Sequence, residues 1–390
     1  MAEYTETEQG SGVRARGDPR PGRRRRIVAA LAALACLLIA GALLLARAGL
    51  IGTLSDQSAA ERWAGENPEG NKYVQLSVFL PGGSTLSLSA LEEVRHSIEA
   101  ALSEASAESA DGKTRTWIDA ACFETEAAVG LTGNTGSVRA YVTSGDYFFF
   151  HPQKMLSGWN YSERDLMEDG VVINRALAWE LYGGYNLAGM PVNVGGQPCV
   201  IVGVTDGPEG EGEREAFGTD SAVWFSARLA EKLGITVDFT SFDAVLPEPI
   251  RDFGENILRE QFGEKDRIFV RESGRFGFLR SLQTVRDFDS LVQRRDAIPY
   301  PYSENAALAV QSRCALITCL IVLLLLFPAG FAAAEAVRGV LFVKNLHPLR
   351  FIPDYFERKK TERYEKKRRE KREKEELEEK AKRPDDQKSE

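Results

Sequence analysis

The sequence predicts an α+β extracytoplasmic domain held between two transmembrane helices, with a strand–helix–strand–strand part followed by an inserted, mostly β part. Two observations predict the membrane helices. An uncharged Ala/Leu-rich block runs from Ile27 to about Leu45, and a second runs from Ala315 to Ala334. At 1.5 Å rise per residue, a helix of ~20 residues crosses a ~30 Å hydrocarbon core. A third observation predicts the domain: the 250 or so intervening residues alternate between period-two and helical apolar patterns.

Taken in order, residues 1–26 form a polar, basic arm with seven arginines, four of them at Arg23–Arg26. Residues 27–47 form the first span. A cleaved signal sequence is the alternative, but its apolar region is usually only about 7–15 residues long. The domain occupies 52–310, the second span 314–334, and a charged tail 335–390. Both basic flanks belong on the cytoplasmic side, which puts both termini inside and the domain outside. Pro328 suggests a kink in the second span.

The domain opens with a strand at Tyr73–Phe79, where Val74, Leu76 and Val78 alternate with Gln75 and Ser77. Ser89 and Glu92 have the spacing of a capping box, and Leu91, Val94, Ile98 and Leu102 line one helical face. Strands are expected at Arg115–Glu124, Ala127–Leu131 and Val138–Thr143. A short acidic helix is expected near Glu163–Glu168, then a strand at 171–174, a helix at Arg175–Tyr182 and a Gly195-Gly196 hairpin. Pro208–Glu215 reads as a surface loop. Helices follow at Ala227–Leu233, Ile250–Phe262 and Phe276–Arg294, with strands at Ala222–Phe225, Phe242–Leu246 and Ile268–Val270. The tail beyond Arg358 carries Glu–Lys and Glu–Arg pairs at i,i+4 and reads as a solvated helix. Pro348 and Pro353 interrupt the segment before it.

Charge and composition exclude several functions. Residues 52–310 carry 22 basic and 39 acidic side chains, which argues against nucleic acid or anionic lipid as a partner of the domain. No phosphate-binding GxxxxGK[ST] or GxSxG elbow occurs. The domain holds two histidines, His96 and His151, too few for an HExxH-type site. His151 follows Phe148–Phe150 and reads as a core residue. No cofactor, metal or catalytic residue is expected. Cys122 and Cys199 are a candidate disulfide if their Cα atoms come within ~7 Å, and otherwise two buried thiols.

The middle of the chain resembles the periplasmic core domain of MacB-type ABC transporter permeases, the group that includes FtsX-like permeases. The residues that carry the resemblance are Val142, Gly145, Asp146, Tyr147 and Phe148, then Leu156, Gly158 and Asp165. Val171, Val172, Ile173, Asn174, Leu177 and Ala178 continue it, and Gly189, Val192, Val194, Gly196, Val202, Gly203 and Val204 complete it. Such permeases often have an acid where Arg175 stands and an aromatic where Cys199 stands. They also carry three spans after the domain, and this chain reads as a truncated, two-span form. The resemblance implies a permease-like subunit without chemistry of its own. It would couple a separate cytoplasmic ATPase, beside a complete permease, to the outer domain for export or mechanotransmission. The alternative reading is a membrane-anchored binding or scaffold domain of the cell envelope.

Overall fold

A computed structural model describes residues 21–381 except 67–71, 82, 84–85, 106–114, 132–133, 164, 264–265, 287–299 and 346–350. The chain divides into two compact units. One is Ile39–Leu323, and the other comprises Met1–Leu38 and Leu324–Glu390.

Helix α1 (Pro21–Ile51) leads through a short 3₁₀ turn, Asp56–Ser58, into α2 (Ala59–Glu66) and strand β1 (Tyr73–Phe79). Then come α3 (Leu88–Glu104), β2 (Ile118–Leu131), β3 (Asn134–Gly145), α4 (Tyr147–Phe150), β4 (Gln153–Gly158), β5 (Gly170–Asn174) and α5 (Arg175–Tyr182). The hairpin β6 (Pro191–Val194) and β7 (Gln197–Pro208) precedes α6 (Glu211–Phe217), β8 (Ala222–Ser226), α7 (Ala227–Lys232) and β9 (Ser241–Pro247). Finally come α8 (Phe253–Phe262), β10 (Ile268–Arg271), α9 (Phe278–Arg286), α10 (Tyr302–Asn345) and α11 (Phe351–Ala381).

The strands join in one sheet ordered β10-β1-β9-β2-β3-β8-β5-β7-β4, and β6 pairs with both β2 and β7. Those pairings close β2, β3, β8, β5, β7 and β6 into a ring. The long strand β2 serves both parts of the sheet. Its first half, Ile118–Cys122, pairs with β9, and Val129–Gly130 pairs with β6. The strand–helix–strand–strand part and the inserted β part therefore share one continuous backbone, which can carry strain from one to the other.

Both faces of this sheet are covered. One carries Val78, Val142, Ile173 and Phe225 against α3, α5, α7 and α8. The other carries Tyr141, Val172 and Trp224, together with Trp63, Phe150, Phe217 and Tyr302. On that face Trp224 lies nearly parallel to Tyr141 at 5.2 Å and to Phe217 at 5.5 Å. Such ring pairs contribute about 0.5–1.5 kcal/mol each beyond their burial.

Several expectations need correcting. The cap of α3 is Ser87, whose hydroxyl accepts from the Ala90 N–H, and not Ser89. The two strands expected before Leu131 are one. The described residues between Tyr161 and Asp169 form turns rather than a helix, and Glu168 pairs with Arg228 and Lys232 instead. Pro208–Glu215 is not a surface loop: it ends β7 and starts α6, with Glu213 fully buried. Of Phe276–Arg294, Phe278–Arg286 is helical and 287–294 lies outside the described residues. Helix α10 is 44 residues long and contains Pro328. Helix α11 starts at Phe351 and accepts Pro353 within its first turn, where the missing N–H has no helical partner to lose. The candidate disulfide is not formed: Cys122 and Cys199 are free, buried thiols in different parts of the core. Burial raises the pKa of both, Cys199 to about 11.

Candidate functional site at the root of the domain

The domain's buried charges gather where the chain leaves α1 and enters α10. Immediately after α1, the Ser55 and Asp56 N–H groups face inward with no helical partner. Glu213 of α6 supplies one, although it lies more than 150 residues away. Its Oε2 accepts from the Ser55 N–H at 3.0 Å and from the Ser55 hydroxyl at 2.8 Å. Its Oε1 accepts from the Asp56 N–H at 2.8 Å. Gln75 of β1 grips the same turn, donating to the Asp56 carbonyl at 2.7 Å and accepting from the Ala59 N–H at 2.9 Å. Arg62 closes it by donating to the Ser55 and Phe149 carbonyls at 2.7 and 2.6 Å.

His151 lies beneath this turn, 7% exposed. Its Nδ1 is 2.6 Å from Asp56 Oδ2, and its Nε2 is 3.3 Å from Asp243 Oδ2 on β9. Ser77 of β1 donates to the other oxygen of Asp243 at 2.5 Å. Burial opposes the imidazolium charge, but Asp56 and Asp243 outweigh it and raise the His151 pKa to about 10. At neutral pH the ring is therefore a cation bridging two carboxylates.

A second cluster holds α10. Arg275 follows β10, and its side chain is 5% exposed. It donates in a fork to Glu304 in the first turn of α10 at 2.6 and 2.7 Å. It also donates to Glu272 at 2.9 Å and to Gln311 at 2.8 Å. A planar guanidinium suits this two-oxygen recognition, and an acid at a helix N-terminus also meets the helix dipole favourably. Burial disfavours the Arg275 charge, but Glu304 and Glu272 more than compensate and raise its pKa. Burial raises Glu272 above the usual carboxylate range, and Glu213 reaches about 7 for the same reason, reinforced by nearby Asp56. Arg47 near the end of α1 reaches across to the Phe276 carbonyl and to Ser281 Oγ. Leu54 packs with Ala306, Ala307, Val310 and Cys314 to seal the seam.

The two clusters meet. Asp56, His151, Asp243, Glu272 and Glu304 all line one small pocket of about 10 Å³, roughly the size of one water. The outer ends of both long helices are thus pinned to β1, β9 and β10 by one network. A wider cleft of about 1040 Å³ opens beside it, lined by Tyr141, Tyr147, His151 and Tyr302, with Glu124 and Asp220 among its acids. Among the described residues, no group of three or more His, Cys, Asp or Glu side chains is placed to hold a metal ion.

The motif residues build this site without forming it. Gly145 has φ +73°, and a Cβ there would lie 2.3 Å from the Asp119 carbonyl oxygen. That close approach lets the Asp146 N–H donate to the same oxygen at 2.8 Å, which starts the turn into α4. Tyr147 then lies tilted against the His151 ring at 4.5 Å, and Phe148 meets Tyr161 edge-on. Gly158 has φ +68° and lies against the Val202 carbonyl. It pairs with Gly203, which also pairs with Val172 beside a register shift. Asn174 caps α5, accepting from Leu177 N at 3.0 Å and from Ala222 N at 3.1 Å. Leu177, Ala178 and Val204 are buried, and Gly189 turns the chain before β6 with φ +87°. Gly145→Ala should cost about 1–3 kcal/mol from backbone strain alone, with the carbonyl clash added. A thermal melt of the full chain reads this as a lowered Tm, and an unchanged Tm would contradict the account of the α4 turn.

An α+β domain lies between two helices long and apolar enough to cross a membrane. The family model for the MacB-like periplasmic core domain matches residues 41–249, just over half of the chain. The chain belongs to that family of ABC transporter permease domains. Among solved structures, it is similar to the periplasmic region of MacB from Actinobacillus actinomycetemcomitans at 12% identity and TM-score 0.39, over 55% of this chain and 92% of that one. It is also similar to the extracellular domain of the noncanonic ABC-type transporter YknZ from Gram-positive bacteria, at 14% identity and TM-score 0.33, over 51% and 99%. A domain of a putative permease from Porphyromonas gingivalis matches at 12% and TM-score 0.30, over 52% and 89%. Curated protein sequences gave no match.

Proposed function

We propose that this chain is a permease-like subunit that passes motion between a separate cytoplasmic ATPase and its extracytoplasmic domain, and that it catalyses nothing itself. In this reading both termini are cytoplasmic, as the arginine-rich arm and the basic tail favour. The junction is the observation that carries it. A merely anchored domain needs only a flexible tether. Here the exit of α1 and the first turn of α10 are held by buried ion pairs to adjacent strands. A shift of either helix is then delivered to the sheet, and β2 carries it into the ring.

Purification of the full chain from its native membranes in mild detergent tests the proposal. An ATP-hydrolysing subunit should co-purify, and its turnover should change when Arg47→Gln loosens α1 from α9. Recovery without any such subunit, or turnover indifferent to the substitution, would favour the anchored binding or scaffold domain instead.

A further inference from the structure

Helix α11 buries nothing: its described side chains from Tyr355 to Glu378 are all exposed. Its charges are nevertheless sorted by side. At 100° per residue, Lys359, Lys360, Arg363, Lys367, Lys371 and Lys374 fall in one sector of about 140°. Phe356 and Tyr364 share that sector, with Glu370 and Glu378 as its two acids, which leaves it four net positive charges. Glu357, Glu362, Glu365, Glu373, Glu375 and Glu376 lie outside it with Arg358, Lys366, Arg368, Arg369 and Arg372, which leaves that side one net negative charge. A helix needing only solvation has no reason to segregate charge in this way.

The aromatics lie toward the end nearer the membrane. Only five residues, 346–350, separate α10 from α11, a reach of at most about 18 Å when extended. Helix α10 runs 11 residues past Ala334, about 16 Å, so the linker is long enough for the start of α11 to fold back to the bilayer face from which α10 emerges. From these facts we infer that α11 lies along an anionic lipid surface, presenting its lysine–arginine stripe to the headgroups with Phe356 and Tyr364 at the interface. Each base near such a surface contributes, and the attraction falls off within a Debye length. Aromatic rings favour the headgroup level. The acids on the opposite side keep the helix soluble and stop it from sinking.

The full chain reconstituted in nanodiscs tests this. Tyr364→Cys, in a background whose native cysteines are replaced by Ala, carries an environment-sensitive fluorophore. Its emission should shift to the blue in discs with 30% phosphatidylglycerol, not in pure phosphatidylcholine, and should revert in 0.5 M NaCl. Combined K360Q, K367Q and K371Q should lower the docked-to-free ratio roughly a hundredfold. R368Q, R369Q and R372Q remove equal charge from the other side and should leave most of the shift. Equal loss in both variants, or no shift on anionic discs, would overturn the inference. A shift that needs added cytosolic protein and ignores lipid charge would give the stripe to an acidic protein and overturn it as well.

Discussion

Arg275→Ala should destabilise the domain by about 3–5 kcal/mol, the usual cost of removing one partner from a buried ion pair. The substitution leaves Glu304 and Glu272 facing each other without their shared cation, and it strips Gln311 of a donor. In a domain of this size each kcal/mol lowers Tm by about 2–4 °C, so a drop on the order of 10 °C is expected in a melt followed by tryptophan fluorescence. Replacing Arg275, Glu272 and Glu304 together by Met, Leu and Leu should recover much of that loss, because no charge is then buried alone. If the single variant melted like the parent, the cluster would not be holding α10.

His151→Gln should have an effect of similar size, about 3–5 kcal/mol, because it leaves Asp56 and Asp243 without the cation between them. It also makes a distinct prediction about pH. The His151 pKa is raised to about 10 from an ordinary value of about 6.5. Its stabilisation is therefore complete below about pH 6.5 and is lost as pH climbs toward 10. Glu213 works in the same direction. Its pKa is raised to about 7, so ionising it costs stability as pH rises from its ordinary value through 7. The full chain should melt several degrees lower at pH 9.5 than at pH 6. His151→Gln should flatten the part of that slope above pH 7, where Glu213 is already ionised. A pH-independent Tm, or one that rises with pH, would contradict the charge assignment.

These effects show which parts of the molecule could be read from the sequence. The two spans, the opening strand and helix, the α5 helix after Asn174 and the Gly195-Gly196 hairpin follow from local patterns of apolar residues and turn formers. The junction does not. The alternation in β1 resembles a strand with one face in water, yet Gln75 and Ser77 are buried, because α2 and the 3₁₀ turn lie over them. Glu213 sits in a glycine- and glutamate-rich stretch with the composition of a solvated loop, and only its distant partners at Ser55 and Asp56 show that it is buried. Asp56, Asp243, Glu272 and Glu304 are separated by up to 248 positions and share a pocket only because β1, β9 and β10 are neighbours. Glu304 has its nearest bases along the chain, Arg295 and Arg313, nine positions away on either side, so its partner Arg275 could not be read from local spacing. The disulfide expectation failed for a related reason: Cys122 and Cys199 face opposite sides of the sheet, which spacing along the chain does not reveal.

Hydrogen exchange on the full chain in nanodiscs, resolved by peptide, tests most directly whether the helix ends and the sheet move as one body. The amides of Ser55, Asp56 and the start of α10 should exchange as slowly as those of β1 and β9, and all should speed up together in Arg275→Ala. If the helix ends exchanged orders of magnitude faster than the strands in the unmodified chain, the network would not be a rigid coupling. The domain would then hang from its helices rather than move with them.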